Sequence, residues 1–226
     1  MIMHRLPAVL SFTLGGKRSF FGLNFDFRTF AKMKLSLDLT YHTPPEWAQV
    51  VLSDFDRFLQ DHADCERKAS SMAMSFVAKC PDKTEIIPEL IETALEELEH
   101  FQMVYKLMEK RGAQLAAQMP KDMYVAELMA LCRSSSDERL LDRMLLASII
   151  ECRGAERFRL VAEAAEDSEI KRFYKALWTS EAKHGHIFVK FALNYWPEGE
   201  VYARLRSLND AEGRICASLP HRPALH

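Results

Sequence analysis

A chain of 226 residues with 48% hydrophobic and 27% charged residues carries enough apolar material for one sizeable core, so one domain is the expectation. A formal net charge of −2 and a pI near 6.5 lack the basic signature of a dedicated nucleic-acid binder. No apolar run approaches the ~20 residues that cross a bilayer. The five cysteines, Cys65, Cys80, Cys132, Cys152 and Cys216, are widely spaced without a Cys-x-x-Cys pair. They suggest neither a disulfide framework nor a thiolate metal site, and a reducing, cytoplasmic setting is expected.

Residues 1–32 stand apart. They hold one acidic residue, Asp26, among several Lys and Arg, and show no sustained helical period. This stretch is read as an N-terminal extension, disordered or arising from a start upstream of Met33; the composition also suits a targeting segment. Residues 33–226 are read as the domain.

From Pro44 onward the pattern is helical. Pro44-Pro45 opens a first long helix that Cys80-Pro81 closes. A second runs from about Pro88 to Arg111 and stops at Gly112. Ser135 and Glu138 have capping-box spacing before a third, to about Glu166. Asp167 or Ser168 caps a fourth, which ends near Tyr195. Shorter helices are predicted over about 122–132 and 199–217. Four long helices with two short ones predict an all-α fold, a helical bundle.

The apolar stripes of the four long helices share one anomaly. The first reads Trp47, Val51, Phe55, Phe58, His62, Glu66, Ala69, Ala73, Phe76, and the second Leu90, Ala94, Glu97, Phe101, Val104, Met108, with His100 beside Glu97. The third reads Leu141, Met144, Ser148, Glu151, Ala155, Phe158, Ala162, and the fourth Ile170, Tyr174, Leu177, Glu181, His184, Phe188, Phe191. Each stripe has a glutamate at its middle. Buried carboxylates cost several kcal/mol apiece unless protonated, paired or bound to cations. Two divalent cations would balance Glu66, Glu97, Glu151 and Glu181, with neutral His100 and His184 each giving a nitrogen.

Residues i and i+3 lie about 60° apart around a helix, so each Glu-x-x-His can aim both groups at one metal pair. Glu66 precedes Glu97 by nearly the interval that separates Glu151 from Glu181, and the stretch between His100 and Glu151 is long enough for a crossover between two hairpins. That order is the ferritin-like ligand pattern of di-iron and di-manganese proteins, one of the worked cases of bundle-core metal sites. Glu96, Glu99 and His186 are read as surface residues, His62 as a core residue or support for the ligands, and Gly154 as a position for close helix packing or, second to that, for open space beside a substrate. Oxygen and nitrogen ligands without thiolate suit iron or manganese alike. A ferroxidase or iron-storage protein and a manganese catalase remain alternatives at this level.

Four stretches also resemble one known family, the tRNA 2-methylthio-N6-isopentenyladenosine hydroxylases. They are "DHADCERKASS" around Glu66, "ALEELEHFQMVYKLMEKRG" around Glu97 and His100, "IIECRGAERF" around Glu151, and "SEAKHGHIFV" around Glu181 and His184. The resemblance covers about residues 39–217. It implies a ferritin-like fold, two iron ions, and O2-dependent hydroxylation of the isopentenyl group on a tRNA adenosine. It also implies an external reductase or ferredoxin-type electron donor, since the chain has no rubredoxin-like Cys-x-x-Cys segment. Candidates for phosphate contact are Lys106, Lys110, Arg111 and Lys121, then Arg153, Arg157 and Arg159, then Arg204, Arg206 and Arg214, although for any one of them the first reading is a solvated helix face paired with a nearby Glu.

Overall fold

A computed structural model of the protein describes residues 37–226, so the expected extension over residues 1–32 lies outside the described residues. Seven helices make up the described chain: α1 (Glu46–Ser53), α2 (Phe55–Lys79), α3 (Ile87–Arg111), α4 (Met123–Ala130), α5 (Ser136–Ala164), α6 (Ser168–Leu193) and α7 (Glu198–Ser218). The four long helices appear where the apolar period places them. One expectation fails at the start, where a single helix from Pro44 to Cys80 was predicted. The chain breaks at Asp54, whose backbone leaves the helical region at φ −140°, while the Ser53 hydroxyl donates to the Val50 carbonyl at 2.7 Å. A serine hydroxyl that bonds nearby backbone competes with the helix ladder, and the Ser53 bond accompanies the end of α1.

The caps follow local chemistry. Gly112 closes α3 in the left-handed region at φ 74°, which a residue without Cβ adopts freely. Asp167 Oδ1 accepts from the Glu169 and Ile170 amides at the start of α6. Ser135 departs from the expected capping box, because its hydroxyl donates to the Glu138 carboxylate at 2.6 Å and caps no backbone amide.

Helices α2 and α3 form one closely packed hairpin and α5 and α6 the other. The segment from Gly112 to Ser135, containing α4, carries the chain between them. Buried apolar side chains gather into two clusters. One contains Phe76, Leu90, Leu145 and Phe188; the other contains Phe58, Val104, Phe158 and Tyr174. Each long helix therefore contributes to both, and the glutamates of the four stripes fall between them. Helix α7 packs on α5 through a buried ion pair, in which Arg153 Nε and Nη2 donate to Glu212 at 2.8 and 2.9 Å. All five cysteines are free thiols. No described helix is long and apolar enough to cross a membrane.

Candidate metal centre

The polar layer between the two apolar clusters holds Glu66 on α2, Glu97 and His100 on α3, Glu151 on α5, and Glu181 and His184 on α6. None of the six is more than 8% exposed. They form two overlapping groups, Glu66–Glu97–His100–Glu181 and Glu97–Glu151–Glu181–His184, and in each group one donor atom per residue lies within 4.8 Å of all the others. Glu97 and Glu181 belong to both groups. A carboxylate has two oxygens and can serve one position with each, whereas each imidazole belongs to one group only.

The contacts inside the layer converge. His100 Nδ1 lies 2.7 Å from Glu181 Oε1 and 3.5 Å from Glu97 Oε2, while His184 Nδ1 lies 2.8 Å from Glu97 Oε1 and 3.2 Å from Glu181 Oε2. Glu97 Oε1 and Oε2, His100 Nδ1 and Glu181 Oε1 are nevertheless buried without a hydrogen-bond partner among the described residues. His184 Nδ1 and Glu181 Oε2 have hydrogen-bond geometry, but the other three separations lack the angles a hydrogen bond requires, so proximity there is not pairing. Lone pairs gathered in this way, with no protein donor to receive them, fit a bound cation.

Electrostatics support the same fit. Burial, followed by the charges of Glu181 and Glu97, pushes the Glu66 carboxyl well above the usual carboxylate range; burial, then Glu97 and Glu181, does the same to Glu151. For Glu181 burial also works upward, yet the imidazoles of His100 and His184 beside it outweigh burial and hold the group at about 2. Burial would lower both histidines, but Glu181 and Glu97 raise His100 to about 9 and His184 to about 12. Without a metal the layer is balanced by protons. Divalent cations would have to displace them, which makes metal affinity rise with pH.

The outer nitrogen of each imidazole is occupied. His184 Nε2 lies 2.6 Å from Glu96 Oε2, and His100 Nε2 lies 3.2 Å from the Ser180 hydroxyl. These contacts turn Nδ1 of both rings toward the carboxylates. Glu96 was expected to be a surface residue; it is half exposed, but its carboxylate reaches across to α6. No local signal marks this role, since its partner lies on another helix. His62 supports the layer as expected: its Nε2 is 2.6 Å from Glu66 Oε1 and its Nδ1 is 3.0 Å from the Tyr174 hydroxyl. Burial lowers its pKa to about 3, so the ring is neutral and can donate to Glu66 while accepting from Tyr174.

Three further expectations are corrected. Gly154 is no close-packing residue, because a Cβ built there meets nothing within 4 Å. Gly185 takes that role, where a Cβ would lie 2.5 Å from Cys152 Sγ. Arg153 and Arg157 cannot meet phosphates, since both are buried: Arg153 is held by Glu212 and Glu156, and Arg157 donates to the Leu225 carbonyl. Their sequence positions beside Glu151 hid the fact that α7 and the segment after it cover this face. Several other cations are paired, Lys110 with Glu169, Arg111 with Asp56, Arg159 with Glu163 and Arg204 with Asp142. Lys106, Lys121, Arg206 and Arg214 are exposed without an ion pair among the described residues.

Comparison with known proteins gives the family and the fold. The chain is 34% identical over 176 residues to a tRNA 2-(methylsulfanyl)-N(6)-isopentenyladenosine(37) hydroxylase of Pseudomonas putida, covering 78% of this chain and 85% of that one. To the hydroxylase of the same name from Salmonella typhimurium it is 26% identical over 134 residues, 59% of this chain and 48% of the other. A solved structure of a Synechococcus protein with aldehyde deformylating oxygenase activity superposes with a TM-score of 0.79 at 31% identity, covering 83% of this chain and 94% of its own. This likeness supports the ferritin-like bundle. Residues 32–226 match the family profile described as tRNA-(MS[2]IO[6]A)-hydroxylase (MiaE), and the chain belongs to that family.

Proposed function

We propose that the protein is an O2-dependent di-iron monooxygenase that hydroxylates the isopentenyl group of 2-methylthio-N6-isopentenyladenosine in tRNA, with residues 33–226 as the working domain. The observation that carries the reading is the pair of overlapping Glu/His groups sharing Glu97 and Glu181, in a chain belonging to a tRNA hydroxylase family. Glu66, Glu97 and His100 with Glu181 would hold one ion; Glu97, Glu151, Glu181 and His184 would hold the other. Iron(II) bound there supplies the open coordination positions and electrons needed to reduce O2.

The overall change is R–H plus O2, two electrons and two protons, giving R–OH and water. The sequence holds no rubredoxin-like Cys-x-x-Cys pair, and an external reductase or ferredoxin-type donor is part of the proposal. The protein supplies a buried, rigid ligand layer and keeps bulk water from the reacting C–H bond. Glu96 and Ser180 hold the imidazoles in register, and the Tyr174–His62 pair steadies Glu66. Lys106, Lys121, Arg206 and Arg214 remain the candidates for contact with tRNA phosphates.

Metal content tests the ligand assignment. Wild-type protein loaded anaerobically with iron(II) should bind two ions per chain, and Glu151→Ala and His184→Ala should each lose at least one. Two tightly bound ions in both variants would overturn the assignment. A cage-sized oligomer that mineralises iron in large excess of two per chain would instead indicate a storage protein.

A further inference from the structure

Next to the carboxylate layer lies a cavity of about 50 Å³, lined on one side by Glu66, Glu151 and Glu181 and by neither histidine of that layer. Its other walls are Cys65 and Ala69 from α2, Ile150, Gly154 and Phe158 from α5, and Leu225 with the His226 imidazole from the segment after α7, so they are apolar apart from His226 and the Cys65 thiol. Helices α2 and α5 belong to different hairpins and do not pair closely, which leaves room between them. Gly154 follows Glu151 by three residues and Phe158 by a further turn, so the space runs along one face of α5 away from the carboxylates. A larger cavity of about 370 Å³ touches none of the six site residues; Asp54, Asp56 and Asp61 in its lining make it unsuited to a hydrocarbon.

Gly154 is the unusual member of this wall. It is buried in the middle of a long helix, where glycine is a poor helix former, and no side-chain atom fills the space beside it. A bundle selected for packing alone would hold alanine or something larger at such a place. The volume admits on the order of four water-sized groups, comparable with a small branched hydrocarbon of a few carbons.

We propose that this cavity receives the prenyl group of the substrate, and that Gly154 sets the size of group it admits. The inference rests on the hydroxylase reading above and adds a direction of approach: the hydrocarbon reaches the centre between α2 and α5, past Glu66 and Glu151. Leu225 lines the same space beside His226. It is fixed there by its backbone, whose amide donates to Asp61 Oδ2 at 2.7 Å and whose carbonyl accepts from Arg157.

The test compares iron-loaded wild type, Gly154→Ala and Gly154→Val on isopentenylated tRNA with a chemical reductant. Iron per chain, tRNA affinity and melting temperature are measured alongside. Gly154→Val should keep two irons and bind tRNA within twofold of wild type, yet lose at least tenfold in kcat, with O2 consumption continuing uncoupled from product. Gly154→Ala should lose severalfold in kcat while melting at a higher temperature than wild type, because it improves the helix without meeting a neighbour. That pairing separates occupancy of the pocket from a structural role, which would lower the melting temperature. Turnover by both variants within twofold of wild type would overturn the pocket assignment while leaving the hydroxylase reading intact. Wild-type protein that forms no hydroxylated nucleoside under the same conditions would overturn the hydroxylase reading itself.

Discussion

Glu97 shows how much of this protein depends on single side chains. It is 1% exposed, neither carboxylate oxygen has a hydrogen-bond partner among the described residues, and it belongs to both Glu/His groups. Replacing it with alanine should therefore remove both ions, whereas Glu66→Ala or Glu151→Ala affects one group directly. Metal analysis checks this, and a Glu97→Ala protein that retains two irons would contradict shared use of the carboxylate. Glu96 should matter more weakly. Its contact with His184 Nε2 at 2.6 Å orients a ligand from outside the layer, and loss of such a partner typically weakens metal affinity about 10–100-fold. A competition titration of Glu96→Gln against a chelator should find that loss; affinity equal to wild type would show that His184 needs no support from α3. The six layer residues were legible in the sequence because each violates the apolar pattern of its own helix. Glu96 was not, because it violates nothing: an exposed glutamate beside Glu97 is ordinary until the fold brings α6 against it.

At the scale of helices, the extents of α3, α5 and α6 were readable from period and caps, since burial on one face dictates the spacing of apolar residues. The break at Asp54 was not. Trp47, Val51, Phe55 and Phe58 keep helical spacing across it, and all four are buried, so the periodicity survives a kink that interrupts the hydrogen-bond ladder. Of the two roles read for Gly154, the preferred one, close packing, belongs to Gly185 instead. Which of Gly154 and Gly185 faces a neighbour depends on how α5 rotates against α6, a tertiary fact. The contact at Gly185 makes a prediction. Adding a methyl there drives it against Cys152 Sγ, so Gly185→Ala should destabilise the protein by about 1–3 kcal/mol, as overpacked cores do. Cys152→Ala in the same chain should recover most of that loss. Denaturant unfolding measures both, and a Gly185→Ala protein as stable as wild type would show that α5 and α6 can separate without penalty.

At the scale of the molecule, arginine–carboxylate pairs tie the accessory helices to the bundle. Asp142 on α5 is fully buried and accepts from Arg133 and from Arg204 on α7. Burial works to raise its pKa, but hydrogen bonds from Arg204 and Arg133 hold it at about 2, below the ordinary 3.8. A folded-state pKa below the unfolded value contributes stability that is fully present above about pH 4 and is lost as pH falls through 2. Wild-type protein should thus lose melting temperature between pH 4 and 2 more steeply than Asp142→Asn, which should already be less stable by about 3–5 kcal/mol at neutral pH. Parallel acid profiles would contradict a role for this ion pair.

The same covering of α5 by α7 explains why Arg153 and Arg157, plausible phosphate contacts in sequence, are structural. Their replacement is unsuited to testing tRNA docking because it would unpack α7. Charge reversal at Lys106, Lys121, Arg206 and Arg214 tests docking without that complication, and should weaken tRNA binding while leaving iron content unchanged. Unchanged tRNA affinity in the fourfold variant would place docking elsewhere.

The central claim joins the two ligand groups to one reaction, and isotopic labelling tests that union most directly. Protein loaded with two irons per chain is reduced, mixed with isopentenylated tRNA and exposed to labelled O2 in the presence of a competent electron donor; the tRNA is then digested and its nucleosides weighed by mass spectrometry. The account predicts one labelled oxygen in the isopentenylated nucleoside from wild type and none from His184→Ala. Iron oxidation and O2 consumption that leave the wild-type nucleoside unchanged would contradict it.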